Sequence, residues 1–211
     1  MPWPKEHKRN TRERIIEAAA GAFRQRGIAD VGVADIMRDA GLTHGGFYAH
    51  FASKEELLAE AVRFASAEVS NLLEPEEREV RRSGKRRSLA ADRPEPPPQL
   101  RAALTYLSSA HAGHPEWGCP IAALGPELAR GSEKQRKALA AGIRGRLKQL
   151  LELTPANTSA ATRGRQAAGA LACMVGGIVL ARGLPEAEGL EVLQQCQRFL
   201  ADALATSDER A

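Results

Sequence analysis

Residues 33–60 read VADIMRDAGLTHGGFYAHFASKEELLAE, and the way this stretch divides decides the fold. Val33, Ile36, Met37 and Ala40 recur at spacings of three and four, the apolar stripe of a short helix. Gly41 comes next, a residue free to take the left-handed conformation that closes a helix. Thr43 then opens a second short helix with Phe47 and Phe51 on its inner face. Ser53 with Glu56 makes a capping box for a longer helix striped by Leu58, Ala61, Ala65, Val69 and Leu72. Two short helices around a glycine turn fit the helix-turn-helix, whose second helix enters the major groove of DNA.

Upstream, Thr11 is a plausible N-cap for a first helix that carries Ile15, Ile16, Ala19 and Phe23 on one face and ends at Gly27. The same region holds Lys5, Lys8, Arg9, Arg12, Arg14, Arg24 and Arg26 against Glu6, Glu13 and Glu17, an excess equal to the whole net charge of +4. Such a cluster suits either a solvated helix face or a surface for nucleic acid.

Downstream, the pattern breaks between Glu74 and Pro98. Arg81, Arg82, Lys85, Arg86 and Arg87 are followed by Pro94, Pro96, Pro97 and Pro98, which reads as a linker or surface loop. Helical periodicity returns at Leu100, Leu104 and Leu107, breaks from Gly113 to Gly118, and resumes over 121–128 and 133–153. Two last helices cover about 160–182, ending at Gly183, and the stretch opened by Pro185 with Leu190, Leu193, Gln197, Leu200 and Leu204. With only 4% aromatic residues and abundant Ala, Leu, Arg and Glu, the expected class is all-α. The expected division is a DNA-binding domain over 1–54 and a second helical domain over 55–211.

The three cysteines, Cys119, Cys173 and Cys196, form no CxxC pair, and an odd count suits a reducing compartment. No signal-peptide pattern opens the chain, and the most apolar stretch, 167–181, is broken by Gly169, Gly176 and Gly177 and falls short of a bilayer span of roughly 20 residues. A soluble, cytoplasmic protein without a membrane partner is expected. No P-loop, Gly-x-Ser-x-Gly elbow or HExxH is present, so neither an enzyme nor a cofactor is expected.

Taken as a unit, DIMRDAGLTHGGFYAHFASKEELLAEAV resembles the TetR family of bacterial repressors, in which an apolar helix, an AGLT-type turn, an aromatic recognition helix and a SKEEL helix start follow in this order. The resemblance covers about residues 11–70. It implies a homodimer that binds a palindromic DNA operator and is released by a small-molecule inducer whose identity the residues leave open. It also implies which residues meet DNA. Thr43 would offer a hydroxyl to a phosphate, His44 would be the first side chain in the groove, and Gly45 and Gly46 would let the backbone approach the base edges. Tyr48 and His50 match positions that contact phosphate or base, Lys54 would grip a phosphate, and Arg12 would add a salt-sensitive contact. Taken singly, Tyr48 would suit a half-buried phenol and His50 an ordinary surface residue. The chain departs from the family at Val31 and Gly32, where a phosphate-binding hydroxyl is usual, and at His44, which cannot read guanine as Lys or Arg would.

For the second domain the resemblance implies a ligand-binding bundle whose last two helices pair across a two-fold axis. Gly169, Cys173, Gly176 and Gly177 place small side chains at helical spacing, and Leu193 and Leu200 lie on the facing stripe. These residues suit a dimer interface or an ordinary core. The segment HAGHPEWGCP, residues 111–120, resembles a GCP-containing stretch in one branch of TetR-like regulators. Cys119, with His114 and Trp117 beside it, is the candidate sensing group, for redox or electrophile chemistry at a helix start. His111, His114 and Cys119 could otherwise hold a metal, although no fourth ligand is evident and none is expected bound; the favoured reading of Cys119 is a small buried residue at a helix start.

Overall fold

The computed structural model describes residues 5–73, 96–154 and 158–205. Among them are nine α-helices and two short 3-10 segments, with no strand, so the all-α class holds. The helices are α1 (Lys5–Arg26), α2 (Val33–Asp39), α3 (Lys54–Leu73), α4 (Pro98–Tyr106), α5 (Ser109–Gly113), α6 (Pro120–Arg130), α7 (Glu133–Glu152), α8 (Ala160–Gly183) and α9 (Glu186–Ala205). The 3-10 segments are His44–Ala49 and Pro115–Trp117. The basic run at 81–87 lies outside the described residues.

The chain packs as two units. The first gathers the described residues of Met1–Val69 and His114–Arg144, the second those of Ser70–Gly113 and Gly145–Ala211. The packing does not divide after residue 54: most of α3, all of α6 and the first half of α7 pack with α1 and α2.

In the first unit the core is built from Ile15, Ala19 and Phe23 of α1, Ile36 and Met37 of α2, Phe47 and Phe51, Leu57, Leu58, Ala61, Val62 and Ala65 of α3, and Leu124 and Leu128 of α6. Of the expected stripes, Ile15, Ala19 and Phe23, then Ile36, Met37 and Ala40, then Leu58, Ala61, Ala65 and Val69 are buried, with Ile16 and Val33 half-buried; the side chain of Leu72 lies outside the described residues. Helix α1 begins earlier than expected: Thr11 is a buried residue within its second turn rather than its cap. Gly27 (φ 84°) and Gly41 (φ 68°) take left-handed backbone at the ends of α1 and α2, as their positions required. After α2, the Gly41 N–H bonds the Arg38 carbonyl at 2.9 Å and the Leu42 N–H bonds that of Met37 at 2.8 Å, closing the helix sharply.

In the second unit α8 and α9 pack on one another and on α4. Helix α8 buries Ala167, Ala170, Leu171, Met174, Gly177, Ile178 and Ala181. At 24 residues it is long and apolar enough, by length and composition alone, to cross a membrane; the reading of 167–181 as too short took the apolar core for the whole helix. That buried row gives its apolar character a packing role. Long polar side chains satisfy the carbonyls left open where neighbouring helices end. Arg182 donates to the carbonyls of His111 (2.8 Å) and Ala112 (3.1 Å), Gln197 to that of Leu107 (2.8 Å), and Arg163 to that of Leu151 (3.0 Å).

Candidate DNA-binding surface

The segment expected to read DNA is the 3-10 turn His44–Ala49. Two glycines in six residues withhold the side-chain contacts that sustain an α-helix, so the turn is held from below instead. Phe47 (0% exposed) and Phe51 (2%) sink into the core, their rings stacked at 5.7 Å. The His50 and Phe51 amides both bond the Phe47 carbonyl, at 2.9 and 3.1 Å. What remains outside is a small shelf. Thr43, His44, Gly45, Tyr48 and Ala49 are exposed, Tyr48 to 70%. A side chain added at Gly45 would meet nothing within 4 Å, and one at Gly46 only the Met37 methyl at 3.7 Å. Neither glycine is required by the packing of the chain itself.

The Thr43 hydroxyl makes no capping bond to the turn. His50 is half-buried, and its Nδ1 is enclosed with no hydrogen-bond partner among the described residues. Burial, reinforced by Lys8, Arg12 and His7, holds the His50 pKa below the ordinary histidine value, so the ring is neutral near pH 7. Ahead of α2, Val31 is buried and the Gly32 N–H donates to the Asp35 carboxylate at 3.1 Å, the reciprocal half of a capping box, while Gly32 has no side chain to accept from the helix amides.

Two residues expected on phosphate are engaged within the chain. Arg12 pairs through both terminal nitrogens with Glu60, lies 3.9 Å from Glu56 and sits 4.4 Å above the Phe51 ring. The hydrogen bond to Glu60 raises its pKa and lowers that of Glu60. Lys54 donates to the Ile28 carbonyl at 2.7 Å. Both brace the fold in the free chain while staying partly exposed: Arg12 ties α1 to α3, and Lys54 ties the start of α3 to the turn between α1 and α2.

Sequence reasoning missed the rest of that brace. Glu127 of α6 accepts from the Ile28 N–H at 2.9 Å, so the one residue Ile28 is held on its amide by Glu127 and on its carbonyl by Lys54. Arg24, 3% exposed at its side chain, donates to the carbonyls of Ala20 and Gly118, each at 2.9 Å, and to Glu68 at 3.0 Å. Burial lowers its pKa while Glu68 acts to restore it. Arg14 bonds the Ala40 carbonyl at 2.7 Å and Arg26 pairs with Asp39 at 2.9 Å, fixing α2 against α1. Much of the basic cluster on α1 is therefore internal wiring.

With this geometry in place, the comparisons with known proteins bear on it directly. Residues 15–61 match the family described as "Bacterial regulatory proteins, tetR family". The N-terminal domain is of the TetR family. Over 54 residues the chain is 50% identical to the HTH-type transcriptional regulator TtgR of Pseudomonas putida, and over 52 residues it is 44% identical to the HTH-type transcriptional repressor KstR2 of Mycobacterium tuberculosis. These matches cover 26% and 25% of this chain and 26% of each relative, so the chain spans about a quarter of the length of the curated relatives it matches. The likeness of fold extends much further. A TetR-family regulator from Cytophaga hutchinsonii superposes with a TM-score of 0.74 over 100% of both chains at 19% identity. One from Chloroflexus aurantiacus gives 0.67 over 95% of this chain and 96% of its own, at 25% identity. The TetR-type architecture, helix-turn-helix first and helical domain second, therefore describes the whole chain.

The remaining expected site residues fall out differently. Cys119 is completely buried at the head of α6, which is not the exposed setting a sensing thiol needs. Trp117, 65% exposed, stacks on His114 at 5.0 Å, and the His114 Nδ1 lies 3.1 Å from Glu116. His111 belongs to the other packing unit, its Nδ1 bonded to the Tyr106 carbonyl at 2.7 Å. Among the described residues no group of three His, Cys, Asp or Glu side chains is placed to hold a metal.

Of the residues expected at a dimer interface, Gly177, Leu193 and Leu200 are buried within the chain, where α8 meets α9 and α4. They are corrected to intrachain packing. The Cys173 thiol also turns inward, 3.8 Å from the Cys196 carbonyl. Gly169 is exposed and Gly176 borders open space. On the same unit Val179, Leu180, Leu190 and Phe199 are exposed, at 48%, 56%, 38% and 61%. For Val179 and Leu180 the sequence signal was present: α8 is apolar nearly all round, and one packed face cannot account for that.

Proposed function

We propose that this protein is a ligand-responsive transcriptional repressor, which binds a palindromic operator as a homodimer in the cytoplasm and is released by a small-molecule inducer. The observation that carries the reading is the exposed shelf from Thr43 to Tyr48, seated on buried Phe47 and Phe51 and bare of side chains at Gly45 and Gly46. A turn that needs no glycine for its own packing, yet has two, is shaped for something that approaches from outside. Base edges in a major groove fit that approach, with Thr43 and Tyr48 on phosphates and His44 in the groove. The relatives, named as transcriptional regulators and a repressor, support the same reading.

The exposed apolar residues of α8 and α9 supply the pairing surface: Val179, Leu180 and Phe199, with Gly169 and Gly176 permitting close approach. A two-fold pair would present its two shelves roughly 34 Å apart, one turn of DNA. Release follows if the inducer binds more tightly to a dimer in which the shelves no longer match that spacing. Cys119 is not favoured as the trigger, because no reagent reaches its thiol without opening the fold.

A gel shift on the DNA upstream of its own gene tests the proposal. The expected result is specific binding that weakens steeply with salt, as counterions compete for the phosphates, and that is abolished by a ligand found through its rise in melting temperature. Binding indifferent to every ligand that stabilises the protein would overturn the sensing half. Absence of any specific binding would overturn the whole.

A further inference from the structure

We infer that Cys173 and Cys196 form a dithiol site for reversible oxidation, closing to an intrachain disulfide that staples α8 to α9. Helices usually pack with axes roughly 8–10 Å apart, whereas a disulfide needs its two Cα atoms within roughly 7 Å, so facing helices seldom offer a bridge. Glycines remove that obstacle here. One turn beyond Cys173, a Cβ at Gly177 would lie 3.1 Å from the Cys196 sulfur and 3.5 Å from its Cβ. Further along the same seam, a Cβ at Gly189 would lie 2.6 Å from the Ala181 carbonyl oxygen. The two backbones thus run close along the seam on the Gly177 side of Cys173. Both cysteines are free and half-buried, and the Cys173 thiol reaches the Cys196 carbonyl at 3.8 Å.

Their surroundings assign the roles. Cys196 lines a surface cleft with Leu184, Glu188, Glu191, Val192 and Gln195, so a small oxidant reaches it. Cys173 is pushed up to about 12, first by burial and then by Cys196, which makes it the poorer nucleophile towards an external reagent. With a hydroperoxide, the Cys196 thiolate attacks the distal oxygen, the O–O bond breaks, and the departing alkoxide or hydroxide leaves protonated as alcohol or water. Cys196 is then a sulfenic acid. The Cys173 sulfur attacks it, the S–O bond breaks, and the hydroxide leaves as water with the Cys173 proton. Two electrons pass from the thiol pair to the peroxide. The site does not depend on the DNA-binding reading.

The test is peroxide treatment of the full-length chain, followed by alkylation after denaturation and peptide mass spectrometry. The expected product is a Cys173–Cys196 cross-linked peptide, two hydrogens lighter, with Cys119 still alkylated, and fully reversed by dithiothreitol. In Cys173→Ser, Cys196 stops at a sulfenic acid that dimedone traps. In Cys196→Ser, Cys173 stays reduced. Oxidation of Cys119 ahead of the pair, cross-links between chains, or an unmodified pair at peroxide levels that oxidise free cysteine would each overturn the assignment. The wild-type measurement decides the matter even if a variant fails to fold.

Discussion

The glycines of the His44–Ala49 turn and those of the α8–α9 seam have opposite surroundings. Gly45 and Gly46 look onto open space or a single methyl, whereas a Cβ at Gly177 or Gly189 would run into Leu107, Cys196 or the Ala181 carbonyl. In the seam the missing side chain is explained by the chain's own packing. At the turn it is not, and the proposed approach of DNA is what would account for it. The contrast separates two ways of using the smallest residue: one set of positions should govern stability and leave binding alone, the other the reverse.

Four substitutions would break or sharpen that contrast. The largest effect is expected from Gly45→Glu. A carboxylate on the shelf faces phosphates, and like charges held together cost several kcal/mol, so DNA affinity should fall by about 100-fold or more while the melting temperature stays unchanged. Next comes Gly189→Ala, where a methyl meets backbone that cannot swing aside. It should destabilise by about 2 kcal/mol, lowering the melting temperature by several degrees, and leave the affinity of the folded fraction unaltered. Third is Glu127→Ala. Leaving the Ile28 amide unsatisfied should cost about 1 kcal/mol in denaturant unfolding.

The smallest effect is a pH dependence. Arg12 holds Glu60 below the usual carboxylate range, so this pair stabilises the fold above that range and its contribution is lost as pH falls through the depressed value. In Glu60→Gln the melting temperature should therefore decline less steeply on the acid side than in the native chain. An identical acid limb in both would show the pair to be worth nothing in solution.

How much of this was legible in the sequence follows the range of the interactions. The stripes of α1, α2 and α3, the turn at Gly41 and the anchoring of Phe47 and Phe51 are set by neighbours three or four positions apart, and periodicity reports them. The roles of Arg12 and Lys54 are not local. Their partners, Glu60 and the Ile28 carbonyl, lie 48 and 26 positions away, and a basic residue poised for phosphate looks the same in sequence as one pairing inside. Glu127, bonded across 99 positions, gave no sign at all. In α8 the small residues were visible, but which of them turned inward depended on where α4 and α9 came to lie. Adjacent Gly176 and Gly177 fell on opposite sides of that division.

The shelf from Thr43 to Tyr48 is the surface proposed to read DNA. Selection of binding sites from a random duplex pool, run side by side with the native chain and Gly45→Glu, tests it most directly. Enrichment of a palindromic motif by the native chain and none by an equally stable Gly45→Glu is the predicted result. Equal enrichment by both proteins would place the DNA contact elsewhere and contradict it.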